Sequence, residues 1–169
     1  AAIFDQCGFG LPENGISGLE ETVYYVDYQN CRLISLNSSY DPVKQKEWLE
    51  NILSNNPMKW TIVSYHHPLY SASAHRDNSK LREAWKPLFD KYRVDLVLQG
   101  HDHTYARGRA RPYGENVVDG MNTRDQTGTV YVVSVSGGKM YNLNPDRWNA
   151  FEEVEQDRAA ENTQLFQVI

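Results

Sequence analysis

The sequence predicts an α/β fold, and three observations carry that prediction. Two continuous apolar runs of strand length, WTIVSY at 60–65 and VDLVLQ at 94–99, flank a segment whose apolar residues Leu81, Trp85, Leu88, Phe89 and Tyr92 recur at helical spacing. A strand, helix, strand order makes the two strands parallel neighbours joined by a right-handed crossover. A further strand-like run, GTVYVVSVSGG at 128–138, ends in a glycine loop.

The 169 residues carry 17 Lys+Arg against 22 Asp+Glu, a net charge of −5, with 40% hydrophobic residues, so one ordinary folded core is expected rather than a disordered chain. No apolar run reaches the roughly 18 residues of a membrane span, and the opening AAIFDQCGFG lacks the basic and apolar regions of an export signal. The acidic balance argues against a nucleic-acid partner held by general electrostatics. Two cysteines, Cys7 and Cys31, are too few and too far apart for a disulfide framework or a thiolate zinc site.

In chain order, residues 8–20 are rich in Gly, Pro, Asn and Ser and read as a loop, with Gly10, Gly15 and Gly18 suited to positive φ. TVYYVDY (22–28) and CRLISLN (31–37) then form a hairpin about Gln29-Asn30. Asp41-Pro42 caps a helix that presents Trp48, Leu49, Ile52 and Leu53 and stops at Asn55-Asn56-Pro57. The run at 60–65 reads as a central strand with both faces covered. Pro87 marks a kink or an internal start in the following helix. Residues 104–127 are polar and Gly-rich, although Arg107, Arg109 and Arg111 alternate at period two and can line one face of a strand. Such arginines suit phosphate pairing or form a solvated basic edge. The acidic stretch 152–161 reads as a solvated helix or loop face, and QLFQVI as the start of a strand. A chain that opens in a loop and ends inside a strand is consistent with a piece of a longer polypeptide.

All five histidines fall between 66 and 103. In GHDH (100–103) two imidazoles follow a strand at i and i+2, a spacing that in extended backbone points both to the same side. His66 ends the preceding strand of the same unit, and ligands in open α/β sheets bind beyond the carboxyl ends of strands, where Gly100 lets the backbone approach. Adjacent His66 and His67 point to opposite sides in extended chain, so one of them faces the site. Three imidazoles can hold a catalytic zinc alone or belong to a larger site. Asp102, between the histidines, reads as a supporting or surface residue.

YHHPLY at 65–70 and VDLVLQGHDHTY at 94–105 resemble the C-terminal half of the calcineurin-like metallophosphoesterases, in the purple acid phosphatase-like branch. The order of the other strands and helices is similar to that family across almost the whole chain. The resemblance implies an αββα sandwich with a mixed sheet, of which residues 1–169 are a single partial domain truncated at both ends. It implies that His66 and His101 ligate one metal of a dinuclear pair and His103 the other, the ions being divalent or mixed-valence Fe, Zn or Mn. It places His75, nine residues after His66, where a histidine contacts phosphate and protonates the leaving group. Arg76 stands where plant members carry a second histidine and is expected to contact substrate; Arg107 is expected to do so from the alternation of the arginines and not from the resemblance. His67 occupies a variable position and is not implied as a ligand.

The family's Gly-Asp and Gly-Asn-His motifs are absent from this sequence. The expectation is a phosphoesterase in which two metals activate a hydroxide, with these 169 residues inactive by themselves, holding metal at partial occupancy at most and prone to self-association through the uncovered core. A rival expectation is a non-catalytic metal- or ligand-binding domain that keeps the fold. The resembled branch is often exported, and the residues that would carry that signal are not in this chain.

Overall fold

The computed structural model describes residues 10–111, 128–135, 137–144, 146 and 148–169. Cys7 and the polar stretch 112–127 lie outside the described residues. The hairpin forms as its sequence requires. Gln29 and Asn30 take φ of 45° and 65°, the left-handed pair that matches strand twist, so β1 (Tyr24–Tyr28) and β2 (Cys31–Ser35) pair antiparallel with Tyr28 opposite Cys31. Asp41 Oδ1 accepts the Val43 N–H at 3.0 Å, and a 3-10 turn at Val43–Gln45 leads into α1 (Lys46–Ser54), which buries Leu49, Ile52 and Leu53.

β3 (Trp60–Ser64) lies parallel to β2, and β4 (Leu96–Gln99) lies parallel to β3 with α2 (Ser79–Lys91) between them in the chain. The helix continues through Pro87 to Lys91. Beyond β4 come β5 (Tyr105–Ala110), β6 (Val130–Val133) and β7 (Val154–Ala160), giving a mixed seven-stranded sheet in the order β1-β2-β3-β4-β6-β5-β7. β6 is parallel to β4, whereas β5 is antiparallel to both β6 and β7.

The register separates two unlike faces. Arg32, Ile34, Thr61, Val63, Val97, Gln99, Tyr131 and Val133 are buried. α1 reaches this face where Arg32 Nη1 donates to Ile52 O at 2.6 Å, and α2 reaches it where Trp85 meets Tyr65 edge-on at 4.9 Å. On the opposite face, Val26, Leu33, Ile62, Leu96 and Val130 form one cross-strand row, with Val26 and Leu33 at 38% and 41% exposure. The expectation that both faces of β3 are covered therefore fails: its apolar run continues onto a side that no described helix covers.

Three other local expectations change. The acidic stretch at 152–161 contains β7, because Asp157 neutralises Arg109 at 2.7 Å across the β5–β7 ladder. The last residues form no strand, and Phe166, Val168 and Ile169 are exposed. Of the three early glycines only Gly18 has positive φ, at 84°. Gly108 matters more: a Cβ there would lie 2.5 Å from the ring of buried Trp148, which packs beside Tyr70.

Candidate metal centre

The histidines are gathered by the ends of the parallel strands. Past the last ladder residues, Tyr65 N–H donates to Leu98 O at 3.1 Å and Gly100 N–H to His66 O at 2.9 Å, which brings the His66 backbone beside the start of GHDH. Gln99 ties the same loop down from the buried side, its Oε1 accepting Leu69 N–H at 2.7 Å and Tyr65 Oη–H at 3.3 Å. Segments following β2, β3, β4 and β6 all contribute to this edge, the place where an open α/β sheet offers a crevice.

Three imidazoles converge there. His66, His67 and His101 each offer a ring nitrogen, and these nitrogens all lie within 4.8 Å of one another. His101 Nδ1 and His66 Nε2 are 3.0 Å apart, and the His67 and His101 ring centroids are 4.2 Å apart. His67 joins its neighbour because both residues lie beyond β3 in a bend, where the strict alternation of extended chain no longer holds. Ser38, in the segment after β2, contacts His67 Nδ1 at 3.0 Å and accepts the His67 N–H at 2.8 Å.

His103 does not share this arrangement. His101 and His103 have φ of 71° and 50°, so the segment is not extended and the i, i+2 argument for a common side does not apply. His103 Nδ1 lies 2.8 Å from Lys139 O, and its ring sits 4.8 Å from that of Tyr141. Gly100 adopts no positive φ, and a Cβ there would meet His66 Nδ1 at an ordinary 3.6 Å, so glycine is not demanded by the approach.

Burial, then the neighbouring His67, Arg76 and His66, lower the His101 pKa to about 4. Burial, followed by His66 and Arg76, also lowers that of His67. Both rings are thus neutral near pH 7, the form that carries a lone pair for a metal.

Asp102 underlies the cluster, fully buried. It accepts Ser71 Oγ–H at 2.7 Å, Ala72 N–H at 3.0 Å and Arg76 Nη1 at 3.3 Å, fastening the 71–76 segment to GHDH. Arg76 also donates to His101 O at 3.1 Å and stacks over Tyr141 at 4.9 Å. His75, on the same segment, is exposed with φ of 60°. Arg107 lies on the open sheet face, 3.8 Å from Asp157, so this expected substrate contact is engaged with β7. On the far side of His67 a cavity of about 380 Å³ runs past Ser38, Asn78, Ser79 and Lys80 at the start of α2.

The donor set suits one borderline divalent ion, since neutral imidazoles favour zinc and its neighbours over calcium or magnesium. It does not gather a pair. Among the described residues, the grouped donors include no carboxylate that could bridge two ions. Sequence reasoning missed His67 as a member of the cluster, although Pro68 was already a sign that the strand ends there.

Residues 3–105 match the family model described as calcineurin-like phosphoesterase. A protein named Fe(3+)-Zn(2+) purple acid phosphatase 12, from Arabidopsis thaliana, is 32% identical over 143 residues, covering 76% of this chain and 30% of that protein. Purple acid phosphatase 15 of the same plant is 32% identical over 139 residues, covering 77% of this chain and 24% of that one. A solved purple acid phosphatase from yellow lupin seeds superposes with a TM-score of 0.62 at 24% identity, over 92% of this chain and 29% of that chain. This chain spans less than a third of the length of each of these relatives.

Proposed function

Because this chain belongs to the calcineurin-like phosphoesterase family, we propose that it forms part of a metal-dependent phosphatase, with His66 and His101 as ligands of one ion and His103 as the ligand of a second. The observation that carries this reading is the meeting of His66 and His101 at 3.0 Å beyond the ends of two parallel strands. A bound ion would polarise a phosphoryl oxygen and lower the pKa of water, and a pair of them, Fe, Zn or Mn, would do both at once.

The chain's own residues supply the surroundings. Ser38 orients the His67 ring, and Asp102 holds the segment bearing His75 and Arg76 against GHDH. On this reading His75, exposed at the rim, gives its proton to the leaving oxygen, and the guanidinium of Arg76 faces the phosphate. The cavity past Ser38 and Lys80 has room for the ester's organic group. Bridging carboxylates would come from outside the 169 residues, so the chain alone is inactive on this proposal.

That no carboxylate joins the grouped donors among the described residues favours one second reading, a domain that binds metal or ligand without catalysis. Hydrolysis of an aryl phosphate separates the two. The protein expressed from its complete reading frame should turn over the ester, lose activity to a chelator, and fall by about 100-fold or more on His101→Ala. Turnover unaffected by chelator and by His101→Ala sinks the phosphatase reading.

A further inference from the structure

We propose that His67 is a metal ligand in this chain, completing with His66 and His101 a three-imidazole site for a zinc-like divalent ion. The inference rests on the reading of His66 and His101 as ligands, and it goes beyond that reading by recruiting a residue at a position that the resemblance leaves variable.

Three features of the geometry point to it. The first is proximity: the His67 ring is 4.2 Å from that of His101 and 4.8 Å from that of His66, and one nitrogen from each ring falls within 4.8 Å of the other two. A tetrahedral zinc with bonds of about 2.0 Å separates its nitrogen ligands by about 3.3 Å, so the His66–His101 pair at 3.0 Å already sits near one edge of such a site. The third nitrogen, within 4.8 Å of the other two, is at most about 1.5 Å beyond that spacing, a gap that small movements of the three rings close with the Ser38 contact kept.

The second feature is which nitrogen is left over. Ser38 Oγ lies 3.0 Å from His67 Nδ1 and also accepts the His67 backbone N–H at 2.8 Å, so one side chain holds both the ring and its backbone, and the ring's Nε2 remains for an ion. Metal-ligating histidines are oriented in this way, by a hydrogen bond at the nitrogen that does not bind. The third is the contrast with His103, whose Nδ1 meets Lys139 O and whose ring lies against Tyr141, outside the group. Three imidazoles leave a fourth coordination position open.

The test is titration of the metal-free chain with Zn(II) by calorimetry and with Co(II) by visible absorption, where tetrahedral nitrogen coordination gives intense d–d bands. The wild-type chain should bind one ion. His67→Ala should weaken binding by about 100-fold and Ser38→Ala by about 10-fold, the range of a lost ligand and a lost orienting partner. A second variant guards against misfolding: His67→Cys should regain Co(II) binding and add a thiolate-to-cobalt charge-transfer band, which appears only when residue 67 is bound to the ion. Wild-type affinity in His67→Ala, or cobalt bands in His67→Cys without the charge-transfer band, overturns the proposal while leaving His66 and His101 as ligands. No ion bound by the wild-type chain overturns this proposal, while the phosphatase reading, which draws further ligands from outside these residues, stands or falls with the chelator and His101→Ala tests on the complete protein.

Discussion

At the scale of single residues, two buried charges decide how the molecule holds its strand ends and its hairpin. Asp102 is buried under the imidazole cluster with three donors pointed at it, so Asp102→Ala leaves the Ser71, Ala72 and Arg76 donors short of an acceptor. We expect a loss of about 2–3 kcal/mol in urea unfolding. Arg32, with 5% of its side chain exposed, forks onto Asp27 at 2.8 and 2.7 Å. Hydrogen bonds from Arg32 hold the Asp27 carboxyl below its usual range. Its folded pKa is the lower one, so its stabilisation is full above the unfolded value of about 3.9 and fades as pH falls through the folded value. Asp27→Asn should cost about 1–2 kcal/mol at pH 7, and the gap to wild type should close in strong acid. A gap that stays constant down to the lowest pH at which the chain folds would contradict this. The histidine signal was legible in the sequence at this scale because clustering needs no structure to be seen. Which rings meet was not legible: His66, His67, His101 and His103 all lie in bends, two of them at positive φ, and rules for extended chain do not reach them.

At the scale of elements, the strands and helices with strong periodicity were legible from the residues alone. The Gln29-Asn30 hairpin, the Leu49/Ile52/Leu53 helix and the parallel pair about α2 follow from local pattern. β7 was hidden because its Glu155, Asp157 and Arg158 look like a solvated stretch until Arg109 is placed across the ladder from them. β5 was half visible, in its alternating arginines, and its decisive residue is the glycine between them. Gly108 lets Trp148 and the Glu155 carbonyl close over the strand, since a Cβ would lie 2.1 Å from that oxygen. Gly108→Ala should cost about 1–3 kcal/mol by forcing Trp148 and β7 outward. Native-state proteolysis would report this as faster cleavage in the β5–β7 ribbon, whereas unchanged stability and cleavage would mean that the Trp148 packing is not rigid.

At the scale of the whole molecule, one sheet face is sealed by helices and the other presents Val26, Leu33, Ile62, Leu96 and Val130 in a row. Apolar patches of this kind drive association, so the chain should self-associate in light scattering, and Leu33→Lys with Ile62→Lys should shift it toward monomer without loss of helix signal. A monomer at high concentration for wild type would count against this. The sealed face and the metal centre are coupled by topology: strands β2, β3, β4 and β6 run parallel, and the segments that follow them bring Ser38, His66, His101 and Tyr141 to one edge. The direct measurement of that centre is metal content after gel filtration of the chain loaded with zinc. Where the sequence leads to partial occupancy at most, the three-imidazole centre should hold about one equivalent per wild-type chain and nearly none in His66→Ala or His101→Ala. Zinc that fails to stay with the wild-type chain, or that stays equally with His101→Ala, would contradict it.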